Sequence, residues 1–224
     1  MELTKEQLLQ IDNYIFSCGI KFYDVRTEIV DHFANVLEQK LDENPNLDFK
    51  NEVKNIHSDF SDLGFKKLQK EKVTSVKNKF HKQSINHLKT FFKLPKLLIT
   101  GSIFGTLVFI MNAIDDKDTF FSILGFILIF LGFRLLFNVN MRDTKKETFL
   151  ALNMTMNFFN TFYVGVMIFN IFTRSRNDES YLTPTYNYIE LGVFVLLILF
   201  YWSGEHVYYQ TKKLVKEQYP NVIV

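Results

Sequence analysis

The back half of the chain contains four long apolar runs separated by short polar segments. They cover about residues 97–114, 119–139, 149–172 and 188–209. Each has roughly the length that a helix needs to cross about 30 Å of hydrocarbon. A segment that crosses lipid must satisfy its own backbone N–H and C=O groups, and none of the runs alternates like a barrel strand. The pattern therefore predicts four transmembrane helices.

The front half has a different pattern, in which apolar residues recur at helical spacing among charged residues. This spacing predicts three amphipathic helices, and together they form a small domain over residues 1–64, which we call the headpiece. With the four spans, the chain is predicted to be all-α. The second helix is predicted to start near Asp24. The predicted cap and stop residues are, in chain order, Thr4 with Gln7, Gly19, Asp48 and Gly64.

Residues 65–96 connect the two halves and carry many lysines but no arginine. One interpretation is an amphipathic helix on an anionic leaflet, where each nearby lysine contributes on the order of 1 kcal/mol. The other is a helical stalk with a solvated lysine face, and the pattern does not separate the two. Because this run leads directly into a membrane span, nucleic acid is not an expected partner. Residues 210–224 are predicted to form a cytoplasmic tail.

Composition and charge favour an integral membrane protein. Of the 224 residues, 47% are hydrophobic and 16% aromatic, yet the mean hydropathy is only +0.01, because a charged front half offsets an apolar back half. Lysines flank the spans on the side of the headpiece, so the positive-inside rule predicts that both polar ends are cytoplasmic. The single cysteine, Cys18, excludes an internal disulfide and a multi-cysteine metal site.

Polar residues inside the apolar runs are candidate functional groups, because ionisable side chains at membrane depth are costly unless they are paired or hydrated. Residues of the second, third and fourth spans are predicted to meet at one level near the cytoplasmic surface. This cluster either serves a function or only pairs Arg134 with Glu205 to hold two helices together. Glu190, near the outer surface, has no evident partner in the sequence. The predicted cluster consists of Arg134, Asn153, Asn157, Asn160, Glu205 and His206.

The sequence contains no GxSxG, Walker, GxGxxG, HExxH or CxxC motif, so it indicates no common catalytic site. No cofactor and no metal are expected. On the second predicted helix, Glu28 and His32 lie one turn apart. A metal site there would need another ligand, such as His57. The simpler interpretation is a half-buried histidine held by Glu28.

The same segment resembles a known family. Residues 28–32 read Glu-Ile-Val-Asp-His, a turn follows at 44–48, and the next helix closes on an aromatic-x-x-x-Gly pattern at 60–64. This layout is similar to the HAAS domain and to the permease-prefix domains, which precede transmembrane helices in bacterial membrane proteins. It covers about the first ninety residues and departs from the family at Glu52, Val53 and Ile56, where small residues are usual. The resemblance implies a cytoplasmic sensing or protein-interaction module, with Glu28, Asp31, His32 and Phe33 as candidate binding residues.

The sequence therefore favours a regulatory or adaptor protein whose headpiece binds another membrane or cytoplasmic protein, or a second copy of the chain. The alternative is a small transporter or channel component that uses the polar cluster. A third hypothesis is a membrane enzyme acting on lipid, with Glu205 and His206 as acid and base. Besides the bilayer, anionic lipid is the expected partner of the lysine-rich connector.

Overall fold

A computed structural model describes residues 2–142, 147–220 and 222, without the side chains of residues 59–66, 68 and 138–142. The described residues form eight α-helices and no β-strand, apart from an isolated bridge between Phe22 and Thr148. The all-α prediction is confirmed. In chain order the helices are α1 (Lys5–Ser17), α2 (Tyr23–Glu43), α3 (Phe49–Thr90), α4 (Lys96–Ala113), α5 (Lys117–Arg142), α6 (Leu150–Ser175), α7 (Asp178–Tyr181) and α8 (Pro184–Gln218).

The headpiece is built from α1, α2 and the beginning of α3, and the caps predicted at Thr4 and Asp48 and the helix end predicted at Gly19 are confirmed. The Gln7 backbone N–H donates to Thr4 Oγ1 at 3.3 Å, and the Thr4 N–H donates to Gln7 Oε1 at 2.8 Å. Gly19 follows α1 with a φ of 96°, a left-handed conformation that favours glycine. Asp48 accepts the Lys50 N–H at 3.1 Å and so caps α3. The buried core of the headpiece includes Ile11, Ile15, Ile29, Phe33, Leu37, Val53 and Ile56.

The third helix does not end at Gly64, so this part of the prediction is wrong. α3 continues through it for 42 residues in all, and the predicted connector is the second half of α3 followed by a turn. A glycine inside a helix costs roughly 1 kcal/mol relative to alanine, and it ends a helix only where it takes a left-handed conformation. Gly64 keeps helical geometry, because good helix formers follow it and because Phe80 and Phe91 are buried against the bundle.

Four helices are long and apolar enough to cross a membrane, namely α4, α5 as far as Phe137, α6 and α8. α6 and α8 pack together at the centre, α5 packs mainly on α6, and α4 packs on α8. Large apolar side chains project outward from these helices, an arrangement that suits hydrocarbon and not water. The architecture is that of a multi-pass membrane protein. The outward-facing side chains that are more than 60% exposed include Phe109, Phe126, Phe130, Phe133, Ile168 and Ile171.

The end of the bundle that meets the headpiece, here called the headpiece end, extends beyond the apolar spans. α3 runs antiparallel to α8, since the rings of His87 and His206 lie 4.0 Å apart and Phe80 lies near the carboxyl end of α8, beside Val215. α8 continues to Gln218, so the tail predicted from residue 210 is largely a continuation of this helix. The opposite end, which carries α7, is called the far end.

Glycines mark where the spans approach closely. A Cβ atom at Gly125 would lie 2.5 Å from Asn170 Oδ1, and one at Gly132 would lie 3.4 Å from an aromatic ring of α6. This agrees with the close packing that their spacing predicts. Gly101 and Gly105 are four positions apart on α4, but an added Cβ at either would meet no heavy atom of the described chain within 4 Å. No close approach of another described helix is therefore found at these two glycines.

Candidate functional site

A joint between α2 and α6 fixes the headpiece on the bundle. The Tyr23 N–H donates to the Thr148 carbonyl at 2.8 Å, just before α6 begins. The carboxylate of Asp24 then accepts the backbone N–H groups of Leu150 and Ala151 at 2.9 and 3.1 Å. Since no side chain of α6 itself caps these amides, Asp24 acts as the cap of a helix 126 residues further along the chain.

A buried guanidinium strengthens the joint. Arg26 is 2% exposed, and it donates to Asp12 on α1 at 2.6 Å and to Glu147 at 2.8 Å. Its guanidinium also lies over the rings of Phe16 and Tyr23, at 5.1 and 5.4 Å from their centroids. Burial lowers the pKa of Arg26, but the hydrogen bonds to Glu147 and Asp12 outweigh this effect and leave the pKa raised. A charged Arg26 therefore ties α1, α2 and the segment before α6 together.

The headpiece residues singled out by the resemblance do not form one site. Glu28 accepts a hydrogen bond from Lys72 Nζ at 2.5 Å, while Asp31 and His32 lie on the exposed face of α2. The half-buried position predicted for His32 is wrong, because the turn of the helix places it outside the core. Phe33 is fully buried, so it belongs to the core and not to a binding surface. The described residues contain no group of three potential metal ligands.

A groove lies between α1 and α3 in the headpiece. Its volume is about 490 Å³. Tyr14, Phe49 and Val53 give it an apolar floor, and Lys50 and Lys54 stand exposed, one helical turn apart, on one rim. A groove of this kind suits an amphipathic segment with acidic groups. The complete lining is Gln10, Asn13, Tyr14, Phe49, Lys50, Val53 and Lys54.

The intramembrane pair is confirmed at the headpiece end of the bundle. Arg134 Nη2 on α5 donates to Glu205 Oε1 on α8 at 2.9 Å, with side chains that are 47% and 15% exposed. His206 lies beside this pair and stacks on His87 of α3, with an angle of 14° between the rings. These groups line an open cleft of about 370 Å³ together with Trp202 and two further aromatic residues. Its complete lining is His87, Phe91, Arg134, Trp202, Glu205, His206 and Tyr209.

A second cation stands at the edge of this cleft. Lys96 Nζ at the start of α4 donates to Thr90 Oγ1 at 3.1 Å and lies 3.4 Å from His87 Nε2. Burial, together with the neighbouring His206 and Lys96, lowers the pKa of His87 to about 4. His87 is therefore a neutral imidazole at physiological pH.

The asparagines of α6 do not join this cleft. Asn153 and Asn160 are exposed, and Asn157 Nδ2 lies 3.5 Å from Met154 Sδ in its own helix. No hydrogen bond among the described residues links any of the three to Arg134 or Glu205. The shared helical face was predicted correctly from the spacing, but α6 is rotated so that its aromatic residues, such as Phe158, face α8.

A buried polar network at the far end corrects the prediction that Glu190 lacks a partner. Glu190 is 1% exposed, forms an ion pair with Arg176, and accepts a hydrogen bond from Thr173 Oγ1 at 2.6 Å. Arg176 also donates to Asn187 Oδ1 at 2.6 Å and lies 4.0 Å from the ring centroid of Tyr181. Because every charge is paired, this network has the features of a structural clasp between α6, α7 and α8.

The roles of three residues were not predicted from the sequence, each for a different reason. Asp24 was recognised only as a helix start, since its second set of partners is distant in sequence. His87 was part of a lysine-rich connector without any special signal. Glu190 gave a signal, a carboxylate inside an apolar run, but its partner Arg176 lies in a loop that hydropathy alone cannot position.

Compared with protein-family models, with curated proteins and with solved structures, the chain matches none of them. The resemblance of the headpiece to the HAAS domain therefore stays a prediction.

Proposed function

We propose that this protein is a membrane-anchored regulatory or adaptor protein whose headpiece binds another protein through the groove between α1 and α3. The supporting observation is that this groove remains open while the headpiece is docked on the bundle. The residues that line the groove are different from those that form the joint. An occupant of the groove therefore does not compete with the docking of the headpiece.

A continuous helix connects the headpiece to the bundle, as an adaptor would require. α3 spans about 63 Å as one helix and belongs to both the headpiece and the headpiece end of the bundle. With Asp24 and Arg26 holding the other side, a bound partner is placed at a defined position relative to the membrane. The chemistry expected of the partner is an amphipathic segment with acidic residues opposite Lys50 and Lys54.

The proposed location is the inner membrane of a bacterium, with the headpiece on the cytoplasmic side. This orientation is supported by the positive-inside rule, because exposed lysines are concentrated at the headpiece end. They include Lys79, Lys82, Lys89 and Lys93 on α3 and the turn that follows it.

The test is a charge reversal on the groove in the full-length protein. Lys50→Glu with Lys54→Glu should abolish the capture of a stoichiometric protein partner from detergent-solubilised native membranes. The physical reason is that an acidic segment would then face two carboxylates. Direct binding of the identified partner, measured by calorimetry, should weaken at least about tenfold, which corresponds to about 1.4 kcal/mol.

A matched control separates this effect from a change in overall charge. Lys70→Glu with Lys77→Glu changes two exposed lysines of the same helix outside the groove and should leave binding intact. If both double variants retain the partner, or both lose it, the groove is not the binding site and the proposal is wrong.

A further inference from the structure

The cleft around Arg134 lies at the level where lipid headgroups meet hydrocarbon. Glu205 follows Pro184 by 21 positions, which corresponds to about 31 Å along α8, and Arg134 lies about 26 Å along α5 from Lys117. The hydrocarbon layer is about 30 Å thick. Lys96, which begins the first span, stands at the same level beside His87. The cleft therefore opens at the leaflet surface on the headpiece end.

The cleft has more cationic than anionic side chains, which favours the binding of an anion. Arg134 donates one hydrogen bond to Glu205, and its other N–H groups have no partner among the described residues. Its side chain is 47% exposed, so these donors are accessible. Lys96 adds a second cation at the edge, while Glu205 supplies the single carboxylate among the lining residues. Arg134 and Lys96 against Glu205 leave one net positive charge among these three side chains.

His87, which lines the cleft, carries a polar atom without a partner in the described part of the chain. His87 Nδ1 is buried and has no hydrogen-bond partner among the described residues. Burial is the main cause of the lowered pKa of His87, and the proximity of His206 and Lys96 lowers it further, since an additional positive charge there is unfavourable. An anion bound between these groups would relieve that repulsion.

The walls of the cleft are aromatic. Trp202 and Tyr209 are exposed, with 38% and 49% of their surface accessible, and Phe91 lies 6.3 Å from Trp202 between ring centroids. Such side chains favour the boundary between headgroups and acyl chains. A free inorganic anion would use only the polar part of this site, whereas a phospholipid would use both parts.

We propose that this cleft binds the phosphate of an anionic phospholipid from the leaflet at the headpiece end, with Arg134 and Lys96 contacting the phosphate and Trp202 and Phe91 contacting the acyl-glycerol region. The exposed lysines of α3 increase the local concentration of such lipids. This site is separate from the headpiece groove and does not depend on the function proposed for it.

The chain carries its own reporter, because Trp202 is its single tryptophan. Full-length protein, purified in a neutral detergent and freed of lipid, is titrated with dioctanoyl phosphatidylglycerol while Trp202 fluorescence is recorded. The expected result is a saturable change that dioctanoyl phosphatidylcholine does not produce at the same concentration. A phosphatidylglycerol with brominated acyl chains should quench Trp202, since the chains are placed against the indole.

Inorganic phosphate tests whether the cleft binds a phospholipid or a free anion. If millimolar phosphate produces the same change as phosphatidylglycerol and prevents lipid binding, the site takes a free anion and the lipid proposal is wrong. The proposal is also wrong if both lipids bind with equal affinity.

Variants test the assigned residues. Arg134→Gln should raise the dissociation constant for phosphatidylglycerol at least about tenfold, because charge-assisted bonds to phosphate are among the strongest polar contacts. Lys96→Gln should raise it less, and Glu205→Gln should lower it, since this change removes the opposing carboxylate. Lys5→Gln, an exposed lysine of α1 in the headpiece, is the control and should have no effect.

Folding is checked by circular dichroism and gel filtration. If Arg134→Gln does not fold, the opposite effects expected of Lys96→Gln and Glu205→Gln decide the outcome. Unchanged affinity in both of these folded variants would overturn the proposal.

Discussion

Replacing Asp24 by alanine should loosen the headpiece from the bundle without unfolding either part. Asp24 lies on α2, but its carboxylate accepts the first amides of α6, those of Leu150 and Ala151. Without it, these two N–H groups lose their partners at a position where no other side chain of the described chain caps them.

The magnitude follows from the two hydrogen bonds and from the helix dipole. A hydrogen bond to a charged group contributes about 1.5–3 kcal/mol, and a negative charge at a helix N-terminus about 0.3–1 kcal/mol. Because Asp24 is half-buried and water can replace part of the cap, we expect a total of about 2–4 kcal/mol. At about 1.4 kcal/mol for each factor of ten, this corresponds to a roughly 30- to 700-fold change in local opening.

Hydrogen–deuterium exchange measures this opening directly. In the full-length protein, the amides of Leu150 and Ala151 should exchange faster in Asp24→Ala by a factor within that range. Asp24→Asn keeps one acceptor oxygen and should give an intermediate rate. Exchange at the centre of α6 should not change, because its internal hydrogen bonds do not depend on the cap.

Asp31→Ala is the matched control, since Asp31 is an exposed acid on the same helix. It should leave exchange at the beginning of α6 unchanged. The reasoning is refuted if Asp24→Ala accelerates these amides by less than about threefold, or if both variants have the same effect, because the Asp24 hydrogen bonds would then contribute nothing specific.

Three further predictions concern stability. Glu190→Ala should lower the thermal midpoint in detergent markedly, because breaking a buried ion pair costs about 3–5 kcal/mol. Gly204→Ala should destabilise the contact between α6 and α8 by about 1–3 kcal/mol, because the added Cβ would lie 2.1 Å from the ring of the buried Phe158. Gly101→Ala is the control and should be neutral or slightly stabilising. A hydrogen bond from a lysine of α2 holds the pKa of Glu52 below its usual value of 4.5. The ionised Glu52 therefore stabilises the fold above pH 4.5, and this stabilisation is lost as the pH falls through the lower pKa of the folded state. Glu52→Gln should therefore make headpiece unfolding less sensitive to acidification below about pH 5.

Each of these predictions has a contrary outcome. Asp178→Asn, an exposed acid at the far end, serves as the control for Glu190, and equal midpoints in the two variants would contradict the role of the clasp. If Gly204→Ala and Gly101→Ala have the same thermal midpoint, the close approach at Gly204 is not a constraint. If Glu52→Gln and the unsubstituted protein lose stability in parallel on acidification, Glu52 carries no pH-dependent contribution.

Local chemistry allowed much of the architecture to be predicted from the sequence. The four spans follow from apolar length, because a chain in hydrocarbon must bond its own backbone. The caps at Thr4 and Asp48 and the helix end at Gly19 follow from residues that act within one turn. Arg134 and Glu205 were paired correctly because each is a costly charge at nearly the same depth of the bundle.

The tertiary structure decided which distant polar atoms meet. Hydropathy does not give the rotation of α6, which turns its asparagines away from the cleft, nor does it bring His87 from α3 to His206. Gly64 remains helical because packing elsewhere on α3 outweighs its local preference to end a helix. Asp24 caps α6 across 126 positions because the folded chain brings the two helix ends together. Periodicity and span length are properties of neighbouring residues, whereas the joint and the cleft depend on how whole helices pack.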